Sequence, residues 1–458
     1  MKPVLVSSRK ERLVLAHGCY DLLHLGHIRH LQEARKLGDR LVVSVTSDAH
    51  VGKGLGRPHF KAEERAEALR ALDCVDEVVI NDAASSVELI RSLHPHVYVK
   101  GIDYRDRSDA DLDKEKKAVE SVGGRIHFTS TEKWSSSRLI NSDRFSDAVC
   151  AYLDRARAAG YRDKILAAFD KADTLKISFV GETIRDVYRY VQGLGRSSKE
   201  LMLATVETGV EEFEGGVRAA AKHGEWRQAK VITHPEVITK TRYVDADFNR
   251  KVFDVYSSRR IQLSAPWHTA FRSQLFEAVE ESDVVVVLDF GHGLIERADR
   301  ETLQDAAFLA VNSQTNAGNY GFNLVTKYKT ADLICIDDPE ARLAAGMDRA
   351  PIEDVLRHGL ATLVDCPKFI VTHGRHGSVF LNADEFGNAP AFVSGGVDTM
   401  GAGDAVMAVT APLVAAGLGL DAAAFVGNIA GSIKVSILGH RRAVRRDEII
   451  QTVEALLA

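Results

Sequence analysis

Ten consecutive residues, Gly18-Cys19-Tyr20-Asp21-Leu22-Leu23-His24-Leu25-Gly26-His27, concentrate chemistry as no other stretch of the sequence does. They follow the apolar run Leu13-Val14-Leu15-Ala16 and lead into a helical pattern. That is where an α/β sheet presents a nucleotide's phosphates to a helix N-terminus. Gly18 allows backbone close to phosphate, and Gly26 keeps a side chain out of the way. His24 and His27, three apart, share one helix face and can donate to the same phosphate oxygens. Two plainer readings stand beside this one: surface histidines on a first helical turn, or a zinc site that adds His30 but has no cysteine or carboxylate at ligand spacing. A second concentration is Val397-Asp398-Thr399-Met400-Gly401-Ala402-Gly403-Asp404, which runs into an apolar helix. Gly401, Ala402 and Gly403 leave backbone N–H groups open at a helix start, an arrangement that holds an anion. Its plain alternative is a tight glycine turn before a core helix.

The elements that must position these residues are legible around them. Gln32 to Arg40 reads as a helix with a glycine stop, and Leu41-Val42-Val43-Ser44-Val45 as a buried strand ending at Ser47-Asp48. Lys53 and Arg57 lie on a glycine-rich loop, and Glu64-Arg65 on a helix. Val97 to Tyr104, with Lys100 and Asp103, is another strand end with a phosphate-sized turn. Ser135-Ser136-Ser137-Arg138 supplies hydroxyls and a guanidinium at a predicted helix start. Residues 143–172 read as a helical connector. From Leu175 a new pattern begins, with strands at Lys176–Gly181, Val284–Asp289, Leu333–Ile336 and Phe369–Thr372. Val284–Asp289 is apolar enough to be buried on both faces. With helical segments between them, these predict a second doubly wound parallel sheet. The predicted organisation is α/β throughout: a Rossmann-like domain over 1–142, the connector, and a second sheet with a small lid over 173–458.

The ordered set in the first domain resembles the cytidylyltransferase-like nucleotidyltransferases, in particular the adenylyltransferase half of the bifunctional heptose-phosphate kinase/adenylyltransferases of ADP-heptose synthesis. The resemblance implies attack of a sugar phosphate oxygen on the α-phosphorus of a nucleoside triphosphate, with pyrophosphate leaving. It implies His24 and His27 at the α-phosphate and nucleotide contacts from Gly18, Cys19, Tyr20, Gly26, Lys53, Arg57, Ser136, Ser137 and Arg138. Asp21, Lys100 and Asp103 are then expected near the sugar phosphate. For Lys100 a solvated strand-end lysine is an equal alternative. The Asp-Thr-x-Gly-Ala-Gly-Asp run resembles the closing motif of the PfkB (ribokinase-like) carbohydrate kinases. That resemblance implies Asp404 as the base for a sugar hydroxyl, Gly401, Ala402 and Gly403 at the transferring phosphate, and Asp186, Gly215 and Gly216 at the sugar.

The sequence departs from that kinase pattern in several places. Glu182 stands where aspartate is usual, and Ala219 replaces an asparagine. A strand that usually ends Asp-Pro-Lys reads Asn312-Ser313-Gln314, and an Asn-x-x-Glu reads Asp337-Asp338-Pro339-Glu340. Altered substrate preference and a kinase half without activity both accommodate these changes. The order is also swapped, since in the ADP-heptose enzymes the kinase half comes first. Domains that fold independently permit this.

Length, 458 residues, calls for at least two domains. The net charge of -5 argues against nucleic acid as partner. Five scattered cysteines without a Cys-x-x-Cys read as reduced and cytosolic. The first eleven residues have no apolar core of a signal peptide. Ala405–Leu438 is too often interrupted by polar residues for a membrane span and reads as two buried helices about a Gly417-Leu418-Gly419 turn. The resulting expectation is a cytoplasmic, bifunctional enzyme, making a nucleotide-activated sugar from ATP or CTP and a sugar phosphate. Magnesium is expected as cofactor with no resident protein-held metal, and a homodimer only by resemblance. Its alternatives are a transferase carrying an inert kinase-like module and a cytidylyltransferase making a CDP-alcohol or alditol.

Overall fold

The computed structural model describes residues 11–51, 58–105, 110–130, 145–197, 200–262, 264–392 and 396–458. Two compact units divide the chain, one chiefly Met1–Cys150 and one chiefly Ala151–Val453.

The first unit is a five-stranded parallel sheet of β1 (Leu13–Gly18), β2 (Arg40–Thr46), β3 (Glu77–Asn81), β4 (Val97–Lys100) and β5 (Arg125–Phe128), in the order β3-β2-β1-β4-β5. Alternation along β1 sends Val14 and Ala16 to one face, against Leu31 and Ala34. Leu15 goes to the other, with Ile90, Tyr98 and Val119. The chain winds outward from β1 to β3 and then crosses to β4. The order therefore reverses between β1 and β4, and a crevice opens beyond their C-terminal ends. Gly18 ends one of those strands and Lys100 the other.

The second unit has a main sheet of eight strands: β6 (Ile177–Gly181), β9 (Ala229–Ile232), β12 (Val284–Asp289), β13 (Leu309–Ser313), β14 (Leu333–Asp337), β15 (Lys368–Thr372), β16 (Ser378–Asn382) and β17 (Glu385–Ala389). Its order is β17-β16-β15-β14-β13-β12-β6-β9, parallel except for β16, which runs antiparallel to both β15 and β17. All six residues of β12 are buried, as its apolar run predicts. A separate sheet holds β7 (Thr183–Arg196), β8 (Leu203–Gly216), β10 (Ile238–Asp245) and β11 (Arg250–Tyr256) in the order β11-β10-β7-β8. Only Glu182 separates β6 from β7, so the main sheet runs almost directly into this lid. The lid is larger than expected, because its β7–β8 hairpin has arms of 14 residues each.

The helices Ala402–Ala415 and Leu420–Lys434 are buried almost throughout and meet at the Gly417 turn, as the sequence indicates. Among the described residues no helix is long and apolar enough to cross a membrane. The helix Tyr161–Ala172 belongs to the second unit: Tyr161 donates to Asp421 at 2.5 Å, and Phe169 stacks on Trp226.

Candidate functional site

In the first unit the Gly18–His27 segment leaves the end of β1 and turns through Tyr20, whose φ of 50° is left-handed. His24 caps the helix Leu25–Arg35 rather than lying within it. Its Nδ1 accepts from the His27 backbone N–H at 3.3 Å. The two imidazoles nevertheless end up on one face, stacked at 3.9 Å between centroids with 16° between their planes. His30 pairs with Thr129 Oγ1 at 2.9 Å instead, and no three-residue metal set among the described residues includes these histidines. Asp21 is buried and accepts from the backbone N–H groups of His59 and Phe60 at 2.7 and 3.0 Å. It thereby ties the phosphate-type loop to the loop after Pro58.

Arg65 is the residue that sequence reasoning undervalued. It is fully buried and donates through Nε to Phe60 O at 2.9 Å, through Nη1 to Cys19 O at 2.6 Å and through Nη2 to Asp48 at 2.6 Å. One planar guanidinium thus fixes three loops at the sheet's C-terminal edge. Lys100 is not a solvated strand-end residue. It is 8% exposed and paired with Glu115 at 2.8 Å, between the rings of Tyr98 and Tyr104. Burial alone would raise the Glu115 carboxyl, but Lys100 outweighs it and holds the group below its ordinary value. Burial, helped by Lys100, pushes the neighbouring His17 down to about 4. Gly26 is buried in the first turn of the helix. Asp103 sits in the turn Ile102–Tyr104 with its side chain outside the described residues, as are Lys53, Arg57, Ser136, Ser137 and Arg138.

In the second unit Gly401, with φ of 71°, precedes the helix Ala402–Ala415. A Cβ there would lie 3.0 Å from His440 Cε1 in a backbone conformation that disfavours one. Asp404, in the helix's first turn, is buried and accepts from Gln314 Nε2 at 2.7 Å. Burial pushes its carboxyl up to about 6, against the pull of His440 and Lys434. Asp186 is also buried, held by Arg242 at 2.7 Å and facing His440 Nε2 at 3.4 Å. A Cβ on Gly215 would come within 2.3 Å of the Asp186 Oδ2, so the double glycine makes room for that carboxylate. Gly216 (φ 63°) closes β8. Asp398, held down at about 2 against burial by Lys251, Gly439 and Met400, anchors the turn before Gly401.

Glu182 does not stand open. It is wholly buried and accepts from the N–H groups of Phe290, His292 and Leu294, with its carboxyl raised to about 7 by burial and Asp289. Glu340 accepts from Thr315 N at 2.8 Å, and burial with the nearby Asp337 raises it to about 8. The structure therefore brings together Asp186, Gly215, Gly401 and Asp404, and adds Arg242, Gln314 and His440. The arginine sits on a charged lid strand and the histidine on a loop, so neither carries a motif.

A cytidylyltransferase-like family model matches residues 15–142, and a model of the pfkB family carbohydrate kinases matches residues 269–445. The chain joins a cytidylyltransferase-like domain to a pfkB-type domain. Over the cytidylyltransferase-like region it is similar to the bifunctional protein HldE of Geotalea uraniireducens, 46% identical over 140 residues, 30% of this chain and 28% of that protein. It is similar there also to the bifunctional protein HldE of Geobacter sulfurreducens, 47% identical over 120 residues, 26% and 24% of the two. The chain thus spans about a quarter of the length of the curated relatives it matches. A ribokinase of Thermotoga maritima superposes with a TM-score of 0.47 at 18% identity, over 62% of this chain and 99% of its own. The pfkB match contains Gln314, Asp404 and His440, whereas the lid and Asp186 precede it.

Proposed function

We propose that the protein is a bifunctional enzyme making a nucleotide-activated sugar of the ADP-heptose kind. Its pfkB-type domain phosphorylates a sugar or sugar phosphate with ATP. Its cytidylyltransferase-like domain transfers a nucleoside monophosphate to a sugar phosphate. The observation that carries the kinase half is a buried Asp404, in the first turn of a helix behind Gly401, with a carboxyl that ionises near neutrality. As a carboxylate it takes the proton of the acceptor hydroxyl while the oxygen bonds the γ-phosphorus and ADP leaves. The N–H groups of Gly401 and Gly403 face the charge on the transferring group, whereas the Ala402 N–H, expected to join them, closes the turn on Thr399 O at 3.3 Å. In the transferase half, His24 and His27 donate to the α-phosphate as a sugar phosphate oxygen attacks and pyrophosphate leaves.

Magnesium fits the kinase pocket. Glu340 is a carboxylate raised by burial and by Asp337, and Asp337 is raised by desolvation and by Asp338, which a divalent cation beside the phosphates would relieve. Held by Glu340 and Asp337, it would offset the negative charge of the phosphates. Among the described residues the set His268, Glu296 and Asp299 fits a metal poorly, because Arg272 already bonds both carboxylates.

One observation favours a second reading, a transferase with an inert kinase-like domain: the Asp186 carboxylate is already held between Arg242 and His440. Purified protein with magnesium, ATP or CTP, and heptoses, heptose phosphates and alditol phosphates separates the two. Sugar-dependent ADP release abolished by Asp404→Ala supports the bifunctional reading. Pyrophosphate release that needs His24, with no sugar-dependent ADP, leaves the transferase alone. The nucleotide accepted decides between ATP and CTP.

A further inference from the structure

Lys434 is among the largest wholly buried side chains of the chain, with none of its surface exposed. It ends the helix Leu420–Lys434, yet its ammonium does not serve that helix's own carbonyls. It donates to Met400 O at 2.7 Å and to Gly439 O at 2.8 Å. Those carbonyls belong to two separate segments. Met400 precedes the anion-holding glycine, and Gly439 precedes His440, which faces Asp186. A Cβ on Gly401 would meet Lys434 Cε at 3.4 Å, so the lysine stem lies directly beneath that turn. The following residue continues the theme, because Val435 O accepts from the N–H groups of Val397 and Asp398.

Burying an ammonium costs several kcal/mol unless opposite charge and acceptors surround it. Asp398, Asp404 and Asp186 supply the charge here, while Lys251 opposes it. Apolar packing would hold two loops without that cost. A cation adds a fixed positive charge behind the turn whose N–H groups face the phosphate, and it does so without moving.

We propose that Lys434 is a positioning residue, a built-in cation that clamps the Met400 and Gly439 carbonyls and so sets the Gly401–Asp404 turn and His440 in working register. The proposal rests on the kinase reading for its effect on rate, but the clamp itself is testable without it. A small monovalent cation placed between the same two carbonyls does the same work.

The test uses the full chain with Lys434→Ala, which opens a space, in ammonium chloride or in tetramethylammonium chloride at equal ionic strength. Sugar-dependent ADP release is measured together with hydrogen exchange of the peptide spanning 396–404. The expected result for Lys434→Ala is a kcat lower by about 10²-fold and faster exchange, both restored by ammonium and not by tetramethylammonium. A kcat within threefold of the unsubstituted protein, or a loss insensitive to ammonium, overturns the proposal. If the unsubstituted protein releases no sugar-dependent ADP, the kinase reading fails, and the exchange data still decide the clamp: unchanged exchange overturns it. Should Lys434→Ala fail to fold, Lys434→Gln keeps two N–H donors without the charge. A Gln variant with full kcat and unchanged exchange overturns the role of the charge.

Discussion

Replacing Asp404 with asparagine should abolish kinase turnover and make the second unit more stable. Asp404 is buried, and its carboxyl ionises at about 6 against an ordinary 3.8. The fold therefore prefers the neutral form. A difference of 2.2 units at 1.36 kcal/mol each corresponds to about 3 kcal/mol of stability forgone at neutral pH. The sign follows from proton counting: between 3.8 and 6 the folded protein binds more protons than the unfolded chain, so stability falls as pH rises through that window. Below 3.8 the penalty is absent, and above 6 it is complete. Asparagine keeps an acceptor for Gln314 Nε2 and carries no charge. At pH 8 the variant should gain about 3 kcal/mol, and at pH 5 about half of that. Guanidinium unfolding followed by tryptophan fluorescence reads this, because Trp226 and Trp267 both lie in the second unit. A variant no more stable at pH 8, or a gain that does not shrink by pH 5, would refute the assignment of Asp404 as a desolvated carboxylate. Retained sugar-dependent ADP release would refute its role as base.

Three further outcomes are expected. Sugar-dependent ADP release should rise with pH through about 6 as Asp404 loses its proton, and a rate flat from pH 5 to 8 contradicts the assignment. Glu115→Gln leaves the Lys100 ammonium buried without its partner and should destabilise the first unit by about 3–5 kcal/mol, measured by denaturant unfolding. Arg65→Lys keeps the charge but cannot reach Phe60 O, Cys19 O and Asp48 at once. Leaving buried carbonyls without donors should cost about 1–3 kcal/mol each and lower pyrophosphate release, whereas full activity would show that the three loops hold themselves.

The parts of both sites that obey local rules were readable. Gly18 to His27 follows an apolar strand at the spacing that a strand-to-helix phosphate turn needs, and Gly401 to Asp404 opens an apolar helix. The helix pair about Gly417 and the buried strand Val284–Asp289 follow from apolar runs and glycine stops alone. What stayed hidden depends on partners distant in sequence. Nothing local distinguishes Lys100 on a strand end from a surface lysine until Glu115, on a later helix, is brought against it. Arg242 and Asp186 are 56 residues apart and meet only across the β7–β10 pairing. The long β7–β8 hairpin is not legible in the sequence because its residues face water along much of their length. Sequences such as Val206-Glu207-Thr208-Gly209-Val210-Glu211 there lack the apolar runs of a core strand.

The root of that hairpin has a mechanical consequence. Both arms converge on one peptide: β7 starts immediately after Glu182, and Val217 N, just past the end of β8, donates to Glu182 O at 2.9 Å. The Glu182 side chain meanwhile grips the Phe290–Leu294 segment. A 14-residue strand reaches about 46 Å at 3.3 Å per residue, so a bend of about 5° at this fulcrum sweeps the far tip through about 4 Å. Asp186, about 10 Å along the same lever arm by that rise, travels under about 1 Å. Past this root the lid is tied to the body of the second unit by Tyr188 and Lys251 to Asp398 and by Glu211 to Arg441, so those ties resist the bend around Asp186 and the sweep falls to the arms beyond them.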